Sequence, residues 1–249
     1  MARRVDIMNY LNDMYLAEFD IEDYCHNGLQ IEGKDEVLNI VIGVSFSKRL
    51  VESAIEKNSQ MIICHHGLFS MDISNPPVIA GFFKDRLKLV LENEINLVGY
   101  HLPMDVNKEY GHNSLACKYL GLKSIEACHL GYIGDLVVPK HLDNVVLDVE
   151  EMYGRKVDVF AFGKSEIKRI AVISGGASAY WQKPVEMGAD LYITGEMAEH
   201  MVRKYEEMGL NVICAGHYHS ERLGVIKLAE LLSDKFDVNA EFVEVETYV

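Results

Sequence analysis

Three short stretches gather the residue types that bind divalent cations: "IICHHGLF" (62–69) with His65 and His66, "GYHLPMD" (99–105) with His101 and Asp105, and "AGHYHSE" (215–221) with His217, His219 and Glu221. Imidazole nitrogen mixed with carboxylate oxygen suits zinc, iron, manganese or cobalt, whereas calcium and magnesium call for more oxygen. In "HLPMD" and "HYHSE" a histidine and a carboxylate stand four positions apart, a spacing that shares one face of a helix and stays close in a turn leading into one. His65 and His66 pose a different problem, because neighbours on an extended strand point to opposite faces. They converge where the strand stops, and Gly67 supplies turning freedom at that point. A plainer alternative is one core histidine beside one exposed one; the dipeptide alone leaves both open.

His65, His66, Asp105, His217 and Glu221 exceed the ligands that one catalytic zinc takes from protein. A shared carboxylate bridging two ions about 3.5–4 Å apart, as in two-metal hydrolases, is therefore expected, with bound water acidified toward a pKa of about 7. His101 is either a further ligand or a base that orients and protonates, a choice that geometry decides. His219, close behind His217, is expected to point elsewhere, and His26, His112, His129 and His141 lie outside the clusters and read as solvated or packed. Cys64 is a weaker candidate, since strand alternation turns it away from His65.

These residues need elements to aim them. An amphipathic first helix, with Val5, Met8, Leu11 and Tyr15 on one face, is followed by "VLNIVIGVSF" as a buried strand and "SKRLVESAIEKN" as a helix. Then come "QMIIC" as strand, "AGFFKDRLKLVLENE" as helix and "INLVGY" as strand. The second half repeats the plan with strands "IKRIAVISGG", "ADLYIT" and "LNVICAG", helices "SAYWQKPVEMG", "EMAEHMVRKYEEMG" and "SERLGVIKLAELLSDK", and a final alternating strand "AEFVEVETYV". The stretch "GLKSIEACHLGYIGDLVVPKHLDNVV" between them is less regular, as at a lobe boundary. The expected architecture is α/β: two similar lobes, 1–125 and 126–249, with the C-terminal segment able to return to the first lobe, and a metal site between them at the C-terminal ends of strands. Each histidine-bearing stretch follows a strand, and in open α/β sheets ligands collect there.

The 249 residues are 49% apolar, which suits a globular protein with one large core or two smaller ones. No apolar run approaches the roughly 20 residues that span a bilayer, and "MARRVDIMNYLNDMYL" lacks the apolar segment of a signal peptide, so cytoplasmic residence is expected. Five widely spread cysteines form no disulfide framework and no CxxC pair. A net charge of −14 disfavours nucleic acid, whose non-specific binding needs basic patches.

Other features are ambiguous. "VISGGAS" (172–178) is a glycine turn whose N–H groups could hold an anion, but it lacks nucleotide-loop spacing. In "YITGEMAEH" (192–200), Thr194 reads as a helix cap, with Glu196 or Glu199 complementing the helix dipole, or as part of a catalytic loop. "NGLQIEG" (27–33) reads as a polar turn that supports the site or a subunit contact.

Taken in order, "NGLQIEG", "HHGLF", "GYHLPMD", "ISGGAS", "GADLYITGEMAEH" and "AGHYHSERLG" resemble the NGG-interacting-factor-three-like proteins, often called GTP cyclohydrolase I type 2 homologs, in their compact bacterial form. The resemblance implies a two-lobed α/β fold, a dinuclear metal centre between the lobes and a toroidal homohexamer. Carried over residue by residue, it implies His65, His66, Asp105, His217 and Glu221 as ligands, with His101 at the family's additional histidine near the metals. It also implies hydrolytic opening of the guanine ring of GTP. The expectation is a dinuclear metal-dependent hydrolase, its two divalent ions per subunit being iron, zinc or manganese, that acts on a nucleotide-like small molecule through His101 and Glu221. The alternative is a metal-binding hexameric ring with a regulatory or protein-interaction role and no turnover.

Overall fold

The computed structural model describes residues 1–69, 78–245 and 247. The fold is mixed α/β and divides into two compact units, Met1–Met104 with Gly224–Thr247, and Asp105–Leu223. No helix among the described residues is long and apolar enough to cross a membrane.

The first unit is built on a five-stranded sheet. Strands Asn239–Phe242, Asn39–Ser45, Met61–His66 and Asn96–Gly99 run parallel in that order, and Gly28–Ile31 closes one edge antiparallel to Asn96–Gly99. Parallel strands covered on both faces read as unbroken apolar runs, and "NIVIGV" and "MIIC" do so. Val41, Ile62 and Leu97 pack against Leu50, Val51 and Ala54 of helix Lys48–Glu56 and Val90 of helix Gly81–Glu92. Ser47 caps the first of these helices, its hydroxyl accepting from the Leu50 N–H. The opening helix, Arg4–Tyr15, buries Ile7, Met8, Leu11 and Tyr15; Val5 is exposed, because at 100° per residue it falls outside the arc that those four define. The segment "NGLQIEG" contains the edge strand Gly28–Ile31 and is not simply a polar turn.

The second unit holds a six-stranded mixed sheet. Its parallel heart is Glu166–Val172, Leu191–Thr194 and Asn211–Cys214. Strand Gly131–His141 adds antiparallel on one side with Lys123–Cys128 beyond it, and Asp158–Phe160 adds antiparallel on the other. Alternation along the central strands feeds two cores. Ile170, Val172, Leu191, Ile193 and Ile213 meet helices His112–Tyr119 and Leu142–Tyr153, while Ala171, Tyr192, Val212 and Cys214 meet Met201 and Tyr205 of helix Glu199–Met208. The irregular stretch after residue 121 is thus a hairpin and the start of a helix.

Candidate functional site

In the first unit, parallel register sets Ser45 beside His66 and Cys64 beside Gly99, so the strands end level with one another. Strand Met61–His66 runs through both histidines and ends on the second. Their ring centroids are 4.5 Å apart, and His101, which follows the Asn96–Gly99 strand, brings its ring to 5.0 Å from His65 and 5.6 Å from His66. One nitrogen from each of the three lies within 4.8 Å of the others. His65 is buried, and its Nδ1 lies 3.1 Å from the Tyr100 carbonyl. A carbonyl only accepts, so Nδ1 carries the proton and Nε2 presents its lone pair, the tautomer a metal ligand needs. His66 Nδ1 is 3.0 Å from the Ser45 hydroxyl.

His101 is held differently. Asp23 Oδ1 accepts from its Nδ1 at 2.9 Å, and the Tyr24 hydroxyl lies 3.3 Å from its Nε2. The Asp23 carboxylate also accepts from the N–H groups of Cys25 and Leu102 and from the Asn27 amide. Burial opposes its ionisation, but the hydrogen bonds from His101, Asn27 and Cys25 outweigh it and hold the carboxyl at about 2. Asp23, Cys25 and His101 also place one donor atom each within 4.8 Å of the others. With those four donors a carboxylate's roughly four acceptor sites are used up, so Asp23 orients His101 and does not ligate. Cys64 is fully buried with its thiol pushed up by that burial, and it joins no ligand group among the described residues.

In the second unit, the three parallel strands end in "ISGG", "ITGE" and "AGH", and backbone bonds stitch these ends together. The Gly175 carbonyl accepts from the N–H groups of Gly195 and Glu196 at 2.9 and 3.2 Å, and Gly195 in turn accepts from Gly216 at 2.9 Å. His217 Nδ1 lies 2.7 Å from Glu196 Oε1, and its Nε2 lies 3.2 Å from Glu221 Oε1. Burial would lower the His217 pKa, but Glu221 and Glu196 together raise it to about 9. Such a pair attracts positive charge, which a proton supplies here and a cation can replace at Nε2. Gly175 has φ of +70°, and a Cβ there would stand 2.4 Å from Glu221 Oε1 and 3.3 Å from His217 Nε2. The space a side chain would fill is kept open beside both donors.

Asp105, in the short helical turn Leu102–Val106, is buried, and its Oδ1 accepts from the Ser174 hydroxyl at 2.8 Å. Asn113 braces both residues: its Oδ1 accepts from the Ser174 N–H at 2.8 Å and its amide donates to the Asp105 carbonyl at 3.3 Å.

Several expectations change. Gly67 does not adopt positive φ, so turning freedom is not why glycine stands there; a Cβ at that position would lie 2.5 Å from the Gln30 amide. Thr194 caps no helix, because its hydroxyl donates to the Gly175 carbonyl and helix Glu199–Met208 starts after Ala198 without a side-chain cap. Glu196 orients His217, and it is Glu199 that sits in the first helical turn. The "ISGG" turn is not a free anion nest at Ser174 and Gly175, whose N–H groups go to Asn113 and the Ser220 hydroxyl. His219 Nδ1 lies 3.2 Å from an Arg155 guanidinium nitrogen, while His26, His129 and His141 are exposed and His112 is fully buried.

Residues 2–248 match the family model described as Duf34/NIF3 (NGG1p interacting factor 3). The chain belongs to the DUF34/NIF3 family. Relatives named "GTP cyclohydrolase 1 type 2 homolog" include one from Pyrococcus abyssi at 37% identity, covering 98% of each chain, and one from Haemophilus influenzae at 34%, covering 96% of this chain and 97% of the relative. Among solved structures, one titled "Structural genomics, protein ybgI, unknown function" aligns at TM-score 0.92 and 32% identity over 99% of this chain and 100% of that one. A crystal structure of a Thermus thermophilus protein aligns at TM-score 0.91 and 28% identity, again over 99% and 100%. DUF34/NIF3 membership thus extends over nearly the whole chain, including each stretch that carries the histidines and acids described above.

Proposed function

We propose that this DUF34/NIF3 protein is a metal-dependent hydrolase acting on a small nucleotide-like molecule. In this reading His65, His66, Asp105, His217 and Glu221 hold two divalent ions per chain, of iron, zinc or manganese. The observation that carries it is the gathering of His65, His66 and His101 nitrogens within 4.8 Å at the ends of parallel strands. Support comes from the His65 tautomer, from the space that Gly175 keeps beside His217 and Glu221, and from a nitrogen-rich donor set that fits borderline cations. Bound ions would supply Lewis acidity, which lowers the pKa of water toward about 7 and polarises a carbonyl or phosphoryl oxygen.

The chain's own groups do the rest. Glu221 contributes negative charge from a buried position. Asp23 keeps the proton on His101 Nδ1, so a proton is taken up and returned at Nε2, within reach of the Tyr24 hydroxyl. The relatives' printed name points to GTP, and cations would offset the repulsion between a triphosphate and a chain of net charge −14. Ring-shaped homohexameric assembly and residence in the cytoplasm belong to the same proposal, the latter supported by five free, buried cysteines.

The test is elemental analysis of purified protein, followed by chelation, reconstitution with each divalent ion and a nucleotide hydrolysis screen. Uptake of about two ions per chain is expected, with turnover that Glu221→Gln lowers by about 10²–10⁴-fold while light scattering still finds the wild-type assembly. Full activity in the variant refutes the mechanism. Stoichiometric metal without hydrolysis across the screen favours the regulatory ring.

A further inference from the structure

We infer that Gln30 is a positioning residue whose amide clamps the turn after His65 and His66, an inference that rests on the metal-binding reading for its functional meaning. Gln30 stands on the edge strand Gly28–Ile31. Pairing there runs from Leu29↔Val98 to Ile31↔Leu97, so two steps on the edge strand match one on its neighbour and Gln30 is the extra residue of a bulge. A bulge re-aims a side chain out of the regular ladder.

The re-aimed amide enters a slot made by two glycines. A Cβ at Gly67 would lie 2.5 Å from both Gln30 amide atoms, and one at Gly99 would lie 2.5 Å from Nε2 and 3.4 Å from the Gly67 Cα. Those glycines follow His66 and precede Tyr100 and His101, so the slot lies between the two strand ends that present the histidines. Inside it, Oε1 accepts from the Leu68 N–H at 2.6 Å and from the Phe69 N–H at 3.4 Å, while Nε2 donates to the His26 carbonyl at 2.7 Å. A backbone bond from the His26 N–H to the Phe69 carbonyl at 3.0 Å closes the same contact. One side chain therefore ties the backbone after His66, at Leu68 and Phe69, to His26 in the segment ahead of its own strand. The His65 ring is held by the Tyr100 carbonyl and the His66 ring by the Ser45 hydroxyl, and the clamp adds to these by fixing the backbone that leaves His66.

The experiment compares wild-type full-length protein with Gln30→Ala, Gly99→Ala and the double variant. Two readouts are followed in the metal-stripped state: amide exchange of the peptide containing Leu68 and Phe69, and Co(II) affinity by competition with a chromophoric chelator. In Gln30→Ala, exchange of those amides is expected to accelerate at least about tenfold, with Co(II) affinity falling about 10–100-fold, the range for lost outer-shell partners. Gly99→Ala, which pushes the amide from its slot, should reproduce both effects, and combining it with Gln30→Ala should add little. Gln30→Glu keeps an acceptor for Leu68 but loses the donor to His26, and should recover part of both. Unchanged exchange or unchanged Co(II) affinity in Gln30→Ala overturns the inference. Wild-type protein that takes up no Co(II) instead sinks the metal reading, while the exchange data still decide whether Gln30 holds the turn.

Discussion

Glu196 Oε1 lies 2.7 Å from His217 Nδ1, on the opposite side of the ring from Glu221. A carboxylate at Nδ1 fixes ring orientation, keeps the proton on that nitrogen and makes Nε2 a stronger donor. Glu196→Gln retains the shape but loses the charge. The substitution is expected to weaken metal binding about 10–100-fold with little change in melting temperature, as read by Co(II) competition and thermal denaturation of the metal-stripped protein. Equal affinity in the variant would mean that Glu196 is a bystander.

Gly175 combines left-handed backbone with a close approach to Glu221. An alanine there costs about 1–2 kcal/mol in backbone strain and sets its methyl against the Glu221 carboxylate, the movable end of a side chain. Gly175→Ala is therefore expected to fold, to melt a few degrees lower, and to lose most of its metal because Glu221 is displaced. Calorimetry and elemental analysis on one preparation check both. A variant with full metal content would show that the gap is dispensable.

Asp190 gives the second unit an acid-sensitive joint away from the histidines. Its carboxylate accepts from the N–H groups of Lys168 and Arg169 at 2.8 Å each and pairs with Lys164 at 2.8 Å. Burial opposes ionisation, but these partners prevail and its pKa is lowered. A group whose folded pKa is depressed adds stability above its unfolded value, about 4, and loses it as pH falls through the folded value. Lys164 is largely exposed, so solvent screens that part. Asp190→Asn is expected to cost on the order of 1 kcal/mol at pH 7, and the gap to wild type should narrow below about pH 4. Denaturant melts at both pH values measure this; a gap independent of pH would contradict the assignment.

The fold was legible wherever apolar runs were continuous. "MIIC", "LYIT" and "NVIC" are buried along their whole length, and each lies in a strand of its sheet. The hairpin Lys123–Cys128 and Gly131–His141 was not, since its outer residues are exposed and the usual alternation is missing. Helix Leu142–Tyr153 carries a stripe of Leu142, Val145, Val149 and Met152, but it follows the strand without a Ser, Thr, Asp or Asn cap to mark its start. Candidate ligands stood out by residue type and by their places after strands. Their supporters did not: Asp23 reaches His101 across 78 positions and Gln30 reaches Leu68 across 38, separations at which periodicity carries no information. Gly67 was visible as a glycine, but its reason lies in the partner that fills the space beside it.

The strand Asn239–Phe242 pairs with Asn39–Ser45, so the first unit takes its edge from the far end of the chain while Asp105–Leu223 is contiguous. During synthesis Asp105–Leu223 is available once Leu223 has emerged, whereas the unit begun earlier still waits for Asn239–Phe242, which is translated after it. Until then Asn39–Ser45 keeps an open flank of unsatisfied amides and carbonyls, the part of a nascent chain most exposed to mispairing with another copy.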